Sequence, residues 1–166
     1  MIVRRLNKGD LSTRVEWMNN PLVYSSMHYD VPVCLEKTNM WYEKNLFNDA
    51  RVDLVFEEEG QLLAMGGLTN IERGVNKAEM YIFVNPNLQR SGVGTKATKL
   101  LCKYGFEQME LNKIYLETNE DNLVARRVYE KCGFLLEGVH RAEYINKEGI
   151  YLSRIYMGIL KSDFHD

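Results

Sequence analysis

The sequence predicts a single domain of mixed α/β class over residues 1–166, in which about four helices flank a mixed sheet of about seven strands. Three observations support this fold class. The chain of 166 residues has the length of one ordinary domain. Its composition, 45% hydrophobic and 27% charged, is that of a globular protein. Strand and helix patterns follow one another in an order that a uniform βαβ alternation does not produce.

Composition and charge exclude several classes of function. The net charge is −2 and no basic stripe is present, which argues against a nucleic-acid partner. No apolar run approaches the roughly 18 residues that span a bilayer, and the first ten residues lack a signal-peptide core, so no membrane association is expected. Three cysteines, odd in number and far apart, predict a reducing cytoplasmic location rather than a disulfide framework.

The first 50 residues predict one strand and two helices. Asp10 is a candidate N-cap for the first helix, and the pair Asn20-Pro21 ends it. Residues 22–33 show little periodicity and predict a loop or an irregular helix. The expected elements are a strand at 2–6, a helix at 10–19 and a helix at 35–47.

The rest of the chain is richer in strands. Residues 52–58 alternate apolar and polar side chains, Glu59-Gly60 forms a turn, and residues 61–68 return as a second strand, which is typical of a hairpin. Apolar residues between 92 and 110 keep a helical period. The other expected elements are strands at 78–84, 114–118, 134–145 and 150–159, and a helix at 123–132.

Residues 89–95, Gln-Arg-Ser-Gly-Val-Gly-Thr, join a predicted strand to a predicted helix. Glycines there allow a tight turn that points several backbone N–H groups at one spot, and the helix dipole adds positive potential. This combination suits a pyrophosphate group. The alternative is a helix start that needs flexible residues for no other reason.

Two other phosphate-binding motifs fit this segment poorly. Residues 92–97 match the spacing of the dinucleotide fingerprint, but residues 85–91 separate them from the preceding strand and no second βαβ unit follows. A Walker A loop requires Lys and then Ser or Thr after its last glycine, whereas Thr95 and Lys96 follow Gly94. Both motifs are therefore disfavoured.

A second constellation lies on the predicted helix at 123–132. Asn122, Ala125, Arg126 and Tyr129 are spaced i, i+3, i+4 and i+7, so they share one helix face. That face offers an amide, a small residue beside which a ligand can lie, and a phenol two turns further on. Taken alone, a tyrosine at this spacing is more often a packing residue than a catalytic one.

Together the two segments resemble the GNAT family of acetyl-CoA-dependent N-acetyltransferases. Residues 89–94 are similar to its Q/R-x-x-G-x-G/A pyrophosphate loop, and residues 116–134 to its L-E-x…N-x-x-A-x-x-x-Y-E-K-x-G-F stretch. The strand at 78–84 is similar to its cofactor-binding strand. Residues 133–141 are similar to the branch that holds ribosomal-protein N-terminal and spermidine acetyltransferases. A looser match extends through the first 50 residues, so the resemblance covers nearly the whole chain.

The resemblance implies a GNAT fold with a mostly antiparallel sheet, in which two strands splay apart and the pantetheine arm of acetyl-CoA lies between them. Asn122 would bond to this arm and Ala125 would leave it room. Tyr129 matches the family's general acid, which protonates the departing CoA thiolate. Arg90 would add a charge-assisted contact to phosphate. The remaining cofactor contacts, mostly from backbone groups, would come from Ile82, Phe83, Val84, Gln89, Ser91, Gly92, Val93, Gly94 and Thr95.

The implied chemistry is direct attack of an amine on the thioester, which requires no nucleophilic Ser or Cys and no metal. A base or a water relay must take a proton from the amine. Glu79 starts the cofactor strand, near where some relatives hold a carboxylate, and is a second candidate catalytic residue. A solvent-facing or structural role is its alternative. The competing function is a non-catalytic acyl-CoA-binding or regulatory module, against which the presence of Tyr129 argues.

Three classes of acceptor amine are compatible with the sequence. Residues 133–141 suggest a polyamine, although the loop at 27–33 offers one carboxylate, Asp30. A protein N-terminus is equally compatible. An amino-sugar nucleotide is the third class, because four aromatic rings could stack on it if they are not core residues: Trp17, Tyr24, Tyr29 and Trp41. Since relatives are often dimers, the resemblance also implies a homodimer.

Overall fold

The computed structural model describes residues 1–146 and 148–165. Within these residues seven strands form one sheet: β1 (Ile2–Arg5), β2 (Val52–Glu58), β3 (Gln61–Glu72), β4 (Lys77–Val84), β5 (Lys113–Asn119), β6 (Leu135–Ile145) and β7 (Tyr151–Leu160). They lie in the order β1-β2-β3-β4-β5-β7-β6. All neighbours are antiparallel except β4 and β5, which are parallel. This topology confirms the predicted mixed fold with a mostly antiparallel sheet.

The described residues also contain five α-helices: α1 (Leu11–Met18), α2 (Pro21–Tyr24), α3 (Leu35–Asn45), α4 (Val93–Lys103) and α5 (Leu123–Lys131). The helix expected at 92–110 is shorter than predicted, because α4 gives way to a π-helical turn at Tyr104–Gln108. Gly105 lets this widened turn press against the sheet. A Cβ atom at Gly105 would lie only 2.8 Å from Ile114 Cδ1, so no larger residue fits without a shift.

The segment between α1 and α3 contains a helical turn that the weak periodicity of residues 22–33 did not reveal. Asn20 and Pro21 follow the end of α1, as predicted, but they also begin α2. The Asn20 side chain accepts a hydrogen bond from the Leu22 amide at 3.0 Å, and proline suits the first position of a helix. This turn buries Val23 against the sheet.

Asp10 occupies the N-cap position of α1, as predicted, but its side chain makes no capping hydrogen bond to the helix. Its carboxylate accepts hydrogen bonds from the Arg4 guanidinium at 2.7 and 2.8 Å and from the Asn7 amide at 2.9 Å. Asn7 in turn caps the 3₁₀ turn that precedes α1. A bidentate, charge-assisted pair with arginine is stronger than a hydrogen bond to a helix amide, which explains why the carboxylate faces Arg4.

The alternation of side chains along the strands creates two separate cores. Leu54 and Phe56 point to the larger core, which lies against α4 and α5 and includes Leu101. Val55, between them in sequence, points to the smaller core, where it meets Trp17 of α1. The sheet therefore carries α4 and α5 on one face and α1 and α3 on the other.

The parallel pair β4 and β5 separates part-way along its length. Pairing covers three rungs, and the last of them joins Glu79 to Tyr115. Beyond this rung β4 stays paired with β3 as far as Val84, and β5 stays paired with β7 as far as Asn119. The sheet thus opens into a gap, here called the β4–β5 gap, whose vertex lies at Glu79 and Tyr115.

Candidate active site

A cavity of about 390 Å³ occupies the β4–β5 gap. Its walls come from four segments, which are the α2 region, the end of β4, the start of α4 and one face of α5. The sequence-predicted residues that line it are Ile82, Phe83, Val84, Gln89, Arg90, Gly92, Gly94, Thr95, Asn122, Ala125 and Tyr129. The glycine-containing loop and the tyrosine-bearing helix, about 30 residues apart in sequence, therefore meet in one cavity.

The start of α4 reaches this cavity without a side-chain cap. Gly92 precedes the helix with a φ of +84°, a left-handed conformation that glycine adopts without steric cost. Lys96 donates the first intrahelical hydrogen bond, to the Gly92 carbonyl at 3.2 Å. Within the part of the chain that the structure describes, the three amides between them make no hydrogen bond. Open amides and the positive end of the helix dipole form a site for an anion.

Arg90 and Ser91, before α4, and Val93, its first residue, have different surroundings. Arg90 is exposed, lines the cavity and has no acidic partner among the described residues. Ser91 and Val93 are not part of the cavity lining, because the Ser91 hydroxyl donates to the Leu88 carbonyl at 2.6 Å and Val93 packs against the larger core. The backbone amides of Ser91 and Val93, rather than their side chains, remain candidates for cofactor contacts.

Asn122, which precedes α5, both caps this helix and lines the cavity. Asn122 Oδ1 accepts a hydrogen bond from the Ala125 amide at 3.2 Å and so caps the helix. The Nδ2 group of Asn122 is the part left for a ligand. Ala125 lines the cavity next to it, where a larger side chain would fill the space.

Tyr129 brings a protonated phenol to the cavity. Its ring lies 5.8 Å from the Phe134 ring, and its hydroxyl makes no hydrogen bond within residues 1–146 and 148–165. Burial raises the pKa of Tyr129 to about 12, and the nearby Cys132 acts in the same direction. The hydroxyl therefore keeps its proton at neutral pH and is a donor, as a general acid must be.

Glu79 lies at the vertex of the β4–β5 gap but not in the cavity lining. Its neighbours Ala78 and Met80 point into the larger core, so Glu79 points to the opposite face of the sheet. Asn70 Nδ2 donates to Glu79 Oε2 at 2.7 Å. Glu79 has no cationic partner among the described residues. Three nearby carboxylates do have one: Glu72 pairs with Lys77, Glu117 with Arg154 and Glu137 with Lys113.

The α2 region is a wall of the cavity that sequence reasoning missed. Met27 lines the cavity, and the next residue, His28, places its Nε2 atom 2.7 Å from Asn119 Oδ1. The His28 ring also packs edge-on against Tyr144 at 4.5 Å. These contacts hold the loop after α2 to the end of β5. The periodicity of this segment is too weak to locate the wall. The signal that could have located it is the pair Asn20-Pro21, which starts a helix.

Two of the aromatic residues considered for stacking on a substrate are engaged in packing. Trp17 is 5% exposed and packs edge-on against Phe83. Trp41 makes cation–π contacts with two guanidinium groups, those of Arg14 and Arg51, at 4.8 and 4.9 Å from its ring centroid. A nucleotide ring would have to displace these contacts before it could stack.

All three cysteines are free thiols. Cys102 and Cys132 are buried, and burial raises the pKa of Cys132 to about 11, so this thiol is a poor nucleophile at neutral pH. Within the described residues, no three His, Cys, Asp or Glu side chains are grouped to hold a metal ion. The same part of the chain contains no helix long and apolar enough to cross a membrane.

Comparison with known proteins identifies the family. The profile of the acetyltransferase (GNAT) domain matches residues 1–135. The chain belongs to this family. All four segments that line the β4–β5 cavity lie inside the matched part of this GNAT domain.

Three curated relatives show what this GNAT domain is similar to. Spermidine N(1)-acetyltransferase of Escherichia coli (strain K12) is 31% identical over 162 residues, which cover 98% of this chain and 87% of the relative. The enzyme of the same name from Vibrio cholerae serotype O1 is 28% identical over 165 residues, with 99% and 95% covered. The putative ribosomal N-acetyltransferase YdaF of Bacillus subtilis (strain 168) is 32% identical over 107 residues, with 64% and 57% covered.

A solved structure shows the same fold over nearly the whole chain. The crystal structure of spermidine N-acetyltransferase from Vibrio cholerae in complex with CoA and spermine has a TM-score of 0.91 and 28% identity, and the match covers 98% of this chain and 96% of that one. This GNAT protein is an acetyl-CoA-dependent N-acetyltransferase that acts on an amine. The predicted family, enzyme class and co-substrate are confirmed.

Proposed function

We propose that acetyl-CoA binds in the β4–β5 cavity with its pyrophosphate at the start of α4 and its pantetheine arm along β4. The uncapped amides after Gly92 supply the anion site, and Arg90 adds a positive charge beside it. Residues 82–84 offer the arm a strand edge that is unpaired on the side of β5. The observation that carries this proposal is that an uncapped helix and an unpaired strand edge meet in one cavity.

In this arrangement the reaction is a direct acyl transfer. The amine nitrogen attacks the thioester carbonyl carbon, and the tetrahedral intermediate then collapses as the C–S bond breaks. The sulfur keeps the bonding electron pair. Tyr129 donates its proton to this sulfur and regains a proton from water, so CoA leaves as the thiol. The attacking nitrogen loses a proton to a base on the acceptor side.

Glu79 is the proposed acceptor of the amine proton, directly or through one water molecule. An amine that approaches the gap from the face opposite α4 meets Glu79 at the vertex. Asn70 holds one carboxylate oxygen, Oε2, which leaves Oε1 for the amine. Because Glu79 has no cationic partner within the described residues, its charge is available to attract an ammonium group.

The proposed acceptor is an aliphatic polyamine. Relatives named spermidine N-acetyltransferase match nearly the whole chain, and one of them was solved with spermine. On the same face as Glu79, the Tyr115 and Tyr156 rings stack 5.0 Å apart. Lys77 and Lys113 place their ammonium groups 5.8 and 5.5 Å from these two rings. Glu72 and Glu137 neutralise these two lysines, so among the described residues the carboxylate of Glu79 is the group beside the rings that is left to attract an ammonium group.

A protein N-terminus is the second candidate acceptor. One relative is named a putative ribosomal N-acetyltransferase, and its match covers 64% of this chain. An N-terminus carries a single ammonium group, which suits a surface where the carboxylate of Glu79 has no cationic partner among the described residues. An amino-sugar nucleotide is the least supported class, because Trp17 and Trp41 are engaged in packing.

Labelled acetyl-CoA with three acceptors tests this proposal. Spermidine, a peptide with a free N-terminus and an amino-sugar nucleotide are compared by mass spectrometry and by release of the CoA thiol. We expect kcat/KM for spermidine to exceed that for either other acceptor by at least about tenfold, a difference of about 1.4 kcal/mol in transition-state binding. A preference for the peptide would reassign the acceptor. No thiol release with any amine would support the non-catalytic alternative.

We further propose a cytoplasmic homodimer. The edge strand β6 has 11 residues and exposes apolar side chains, among them Leu135 at 65% and Ile145 at 55%. An unprotected edge of this kind pairs readily with another chain. Three free thiols suit a reducing compartment. Sedimentation velocity should give the mass of a dimer for the parent and of a monomer for Val139→Lys; a monomeric parent contradicts the proposal.

A further inference from the structure

Thr98 is a buried polar residue of the cavity wall for which no role has been assigned so far. It lies on α4, one turn after Thr95, and is completely buried. Its hydroxyl oxygen makes no hydrogen bond within the described residues. A helical threonine commonly donates to the carbonyl one turn back, here that of Gly94, but Thr98 does not. Among the described residues this buried donor thus has no acceptor, which is unfavourable.

The depth of Thr98 in the cavity decides which part of a bound cofactor it can reach. At the proposed phosphate end, a Cβ atom on Gly94 would lie 3.6 Å from Val84 Cγ2. Thr98 lies four residues further along α4, about 6 Å deeper. Ile82, two residues back along β4, lies about 7 Å deeper on the strand side. Both line the cavity, and the proposed placement puts the pantetheine arm, rather than the phosphates, at this depth.

We infer that, on cofactor binding, the Thr98 side chain turns towards the cavity and its hydroxyl, which is buried in the free protein, donates a hydrogen bond to an amide carbonyl of the pantetheine arm. This inference rests on the proposed placement of acetyl-CoA in the β4–β5 cavity. Binding supplies the acceptor that the unliganded protein lacks. Thr98 is thus a cofactor-binding residue on the helix side of the arm, facing the strand edge of β4.

Thr98→Val tests the inference, because valine has nearly the same shape and no hydroxyl. Calorimetric titration should give a Kd for acetyl-CoA that is raised about 3- to 10-fold, the effect of losing one neutral hydrogen bond. Thr98→Ser keeps the hydroxyl and should bind acetyl-CoA within about twofold of the parent. ADP, which has the pyrophosphate but no pantetheine arm, should bind equally to all three proteins.

Thermal unfolding without ligand gives a second readout with the opposite sign. Thr98→Val should raise the melting temperature by about 2–6 °C, because it removes an unpaired buried hydroxyl. Thr38 is the matched control, since it is also buried and helical but its hydroxyl donates to the Cys34 carbonyl at 2.9 Å. Thr38→Val should lower the melting temperature and leave the Kd for acetyl-CoA unchanged.

Each contrary outcome has a distinct meaning. An unchanged Kd for acetyl-CoA in Thr98→Val overturns the inference, and so does an equal loss of affinity for ADP and acetyl-CoA. A lowered melting temperature of the unliganded variant also counts against it, since the hydroxyl would then have a partner in the free protein. A parent protein that does not bind acetyl-CoA contradicts the proposed function itself, and the inference with it.

Discussion

Two ionisable side chains divide the proposed proton transfers between the two faces of the sheet. Tyr129 reaches the gap from the side of α5, and Glu79 lies at the vertex on the opposite face. The sulfur leaves on the cofactor side and the amine arrives on the acceptor side. Because the proposed acid and base lie on opposite faces, Tyr129 can protonate the sulfur and Glu79 can accept the amine proton without a direct proton transfer between the two side chains.

The role of Glu79 predicts a selective loss of turnover in Glu79→Gln. Glutamine can keep the contact with Asn70 but cannot take a proton from the amine. We expect kcat to fall by roughly 10²-fold, at the lower end of the range for a general base, and acetyl-CoA affinity to stay within about twofold of the parent. Steady-state kinetics and calorimetry measure the two quantities.

Glu72→Gln is the matched control for this variant. Glu72 is another carboxylate of the same region, but it is exposed and pairs with Lys77 at 3.0 Å. Its loss should leave kcat within about threefold of the parent. Equal rates in the Glu72 and Glu79 variants would show that Glu79 is a structural carboxylate.

Among the secondary-structure elements, α4 has the most direct link to function, because its first turn lacks a side-chain cap. Gly94→Glu puts a side chain and a negative charge into this turn, where the pyrophosphate is proposed to bind. A saturating ligand at 100 times its Kd stabilises a protein by about 2.7 kcal/mol, or about 5–11 °C for a domain of this size. The variant should lose the shift that acetyl-CoA causes in the parent. A full shift in Gly94→Glu would rule out this turn as the phosphate site.

The junction of β1 and the first 3₁₀ turn predicts a pH dependence of stability. Burial of Asp10 opposes its ionisation, but hydrogen bonds from Arg4 and the Asn7 amide, together with the Arg4 charge, hold its pKa below 3.8. The folded state thus favours the carboxylate. The resulting stability is complete above about pH 4, where an unfolded Asp is ionised, and is lost as the pH falls through the pKa of the folded state.

Asp10→Asn removes this contribution. We expect its free energy of unfolding to be lower by roughly 1–3 kcal/mol at pH 7 and to change less than that of the parent below pH 4. Urea unfolding at pH 7 and pH 3 measures both values. If the free energy of unfolding falls by the same amount in parent and variant between pH 7 and pH 3, Asp10 does not contribute to acid sensitivity.

Elements with a clear local signal were predictable from sequence, and elements that depend on single contacts were not. Helix α5 agrees with its apolar period, and the Glu59-Gly60 turn locates the β2–β3 hairpin, although both faces of its strands are buried. The turn α2 is too short for a period and depends on the Asn20 cap. The π-helical turn after α4 depends on the approach of Gly105 to Ile114, which no local pattern encodes.

Across the whole molecule, local motifs could be predicted from sequence and contacts between distant segments could not. Gly92, Gly94 and the face of Tyr129 are each recognisable within a few residues. The link between His28 and Asn119 joins positions 91 residues apart, and it requires the sheet to be assembled first. The unpaired hydroxyl of Thr98 is likewise visible only when α4 is packed against β4 and α5.

Direct transfer predicts that activity depends on neither a reactive thiol nor an added metal. Cys132 keeps its proton at neutral pH, and Cys34 is the exposed cysteine. Cys34→Ala, and the parent treated with a chelator, should both retain kcat within about twofold. Loss of turnover after chelation, with circular dichroism unchanged, would contradict a metal-independent transfer.

In the proposed mechanism, this GNAT domain holds acetyl-CoA in the β4–β5 cavity and Tyr129 protonates the departing thiolate. Tyr129→Phe keeps the ring and its contact with Phe134 and removes the hydroxyl alone. Because burial holds the pKa of Tyr129 at about 12, the parent has the proton in place at neutral pH.

The most direct measurement is therefore the turnover of Tyr129→Phe with saturating acetyl-CoA and spermidine, paired with calorimetric titration of acetyl-CoA. We expect kcat to fall by roughly 10²–10⁴-fold, equivalent to about 3–5 kcal/mol, while the Kd for acetyl-CoA stays within about twofold. A kcat within about threefold of the parent, or a loss of cofactor binding that accounts for the lost activity, would make Tyr129 a packing residue and exclude it as the general acid.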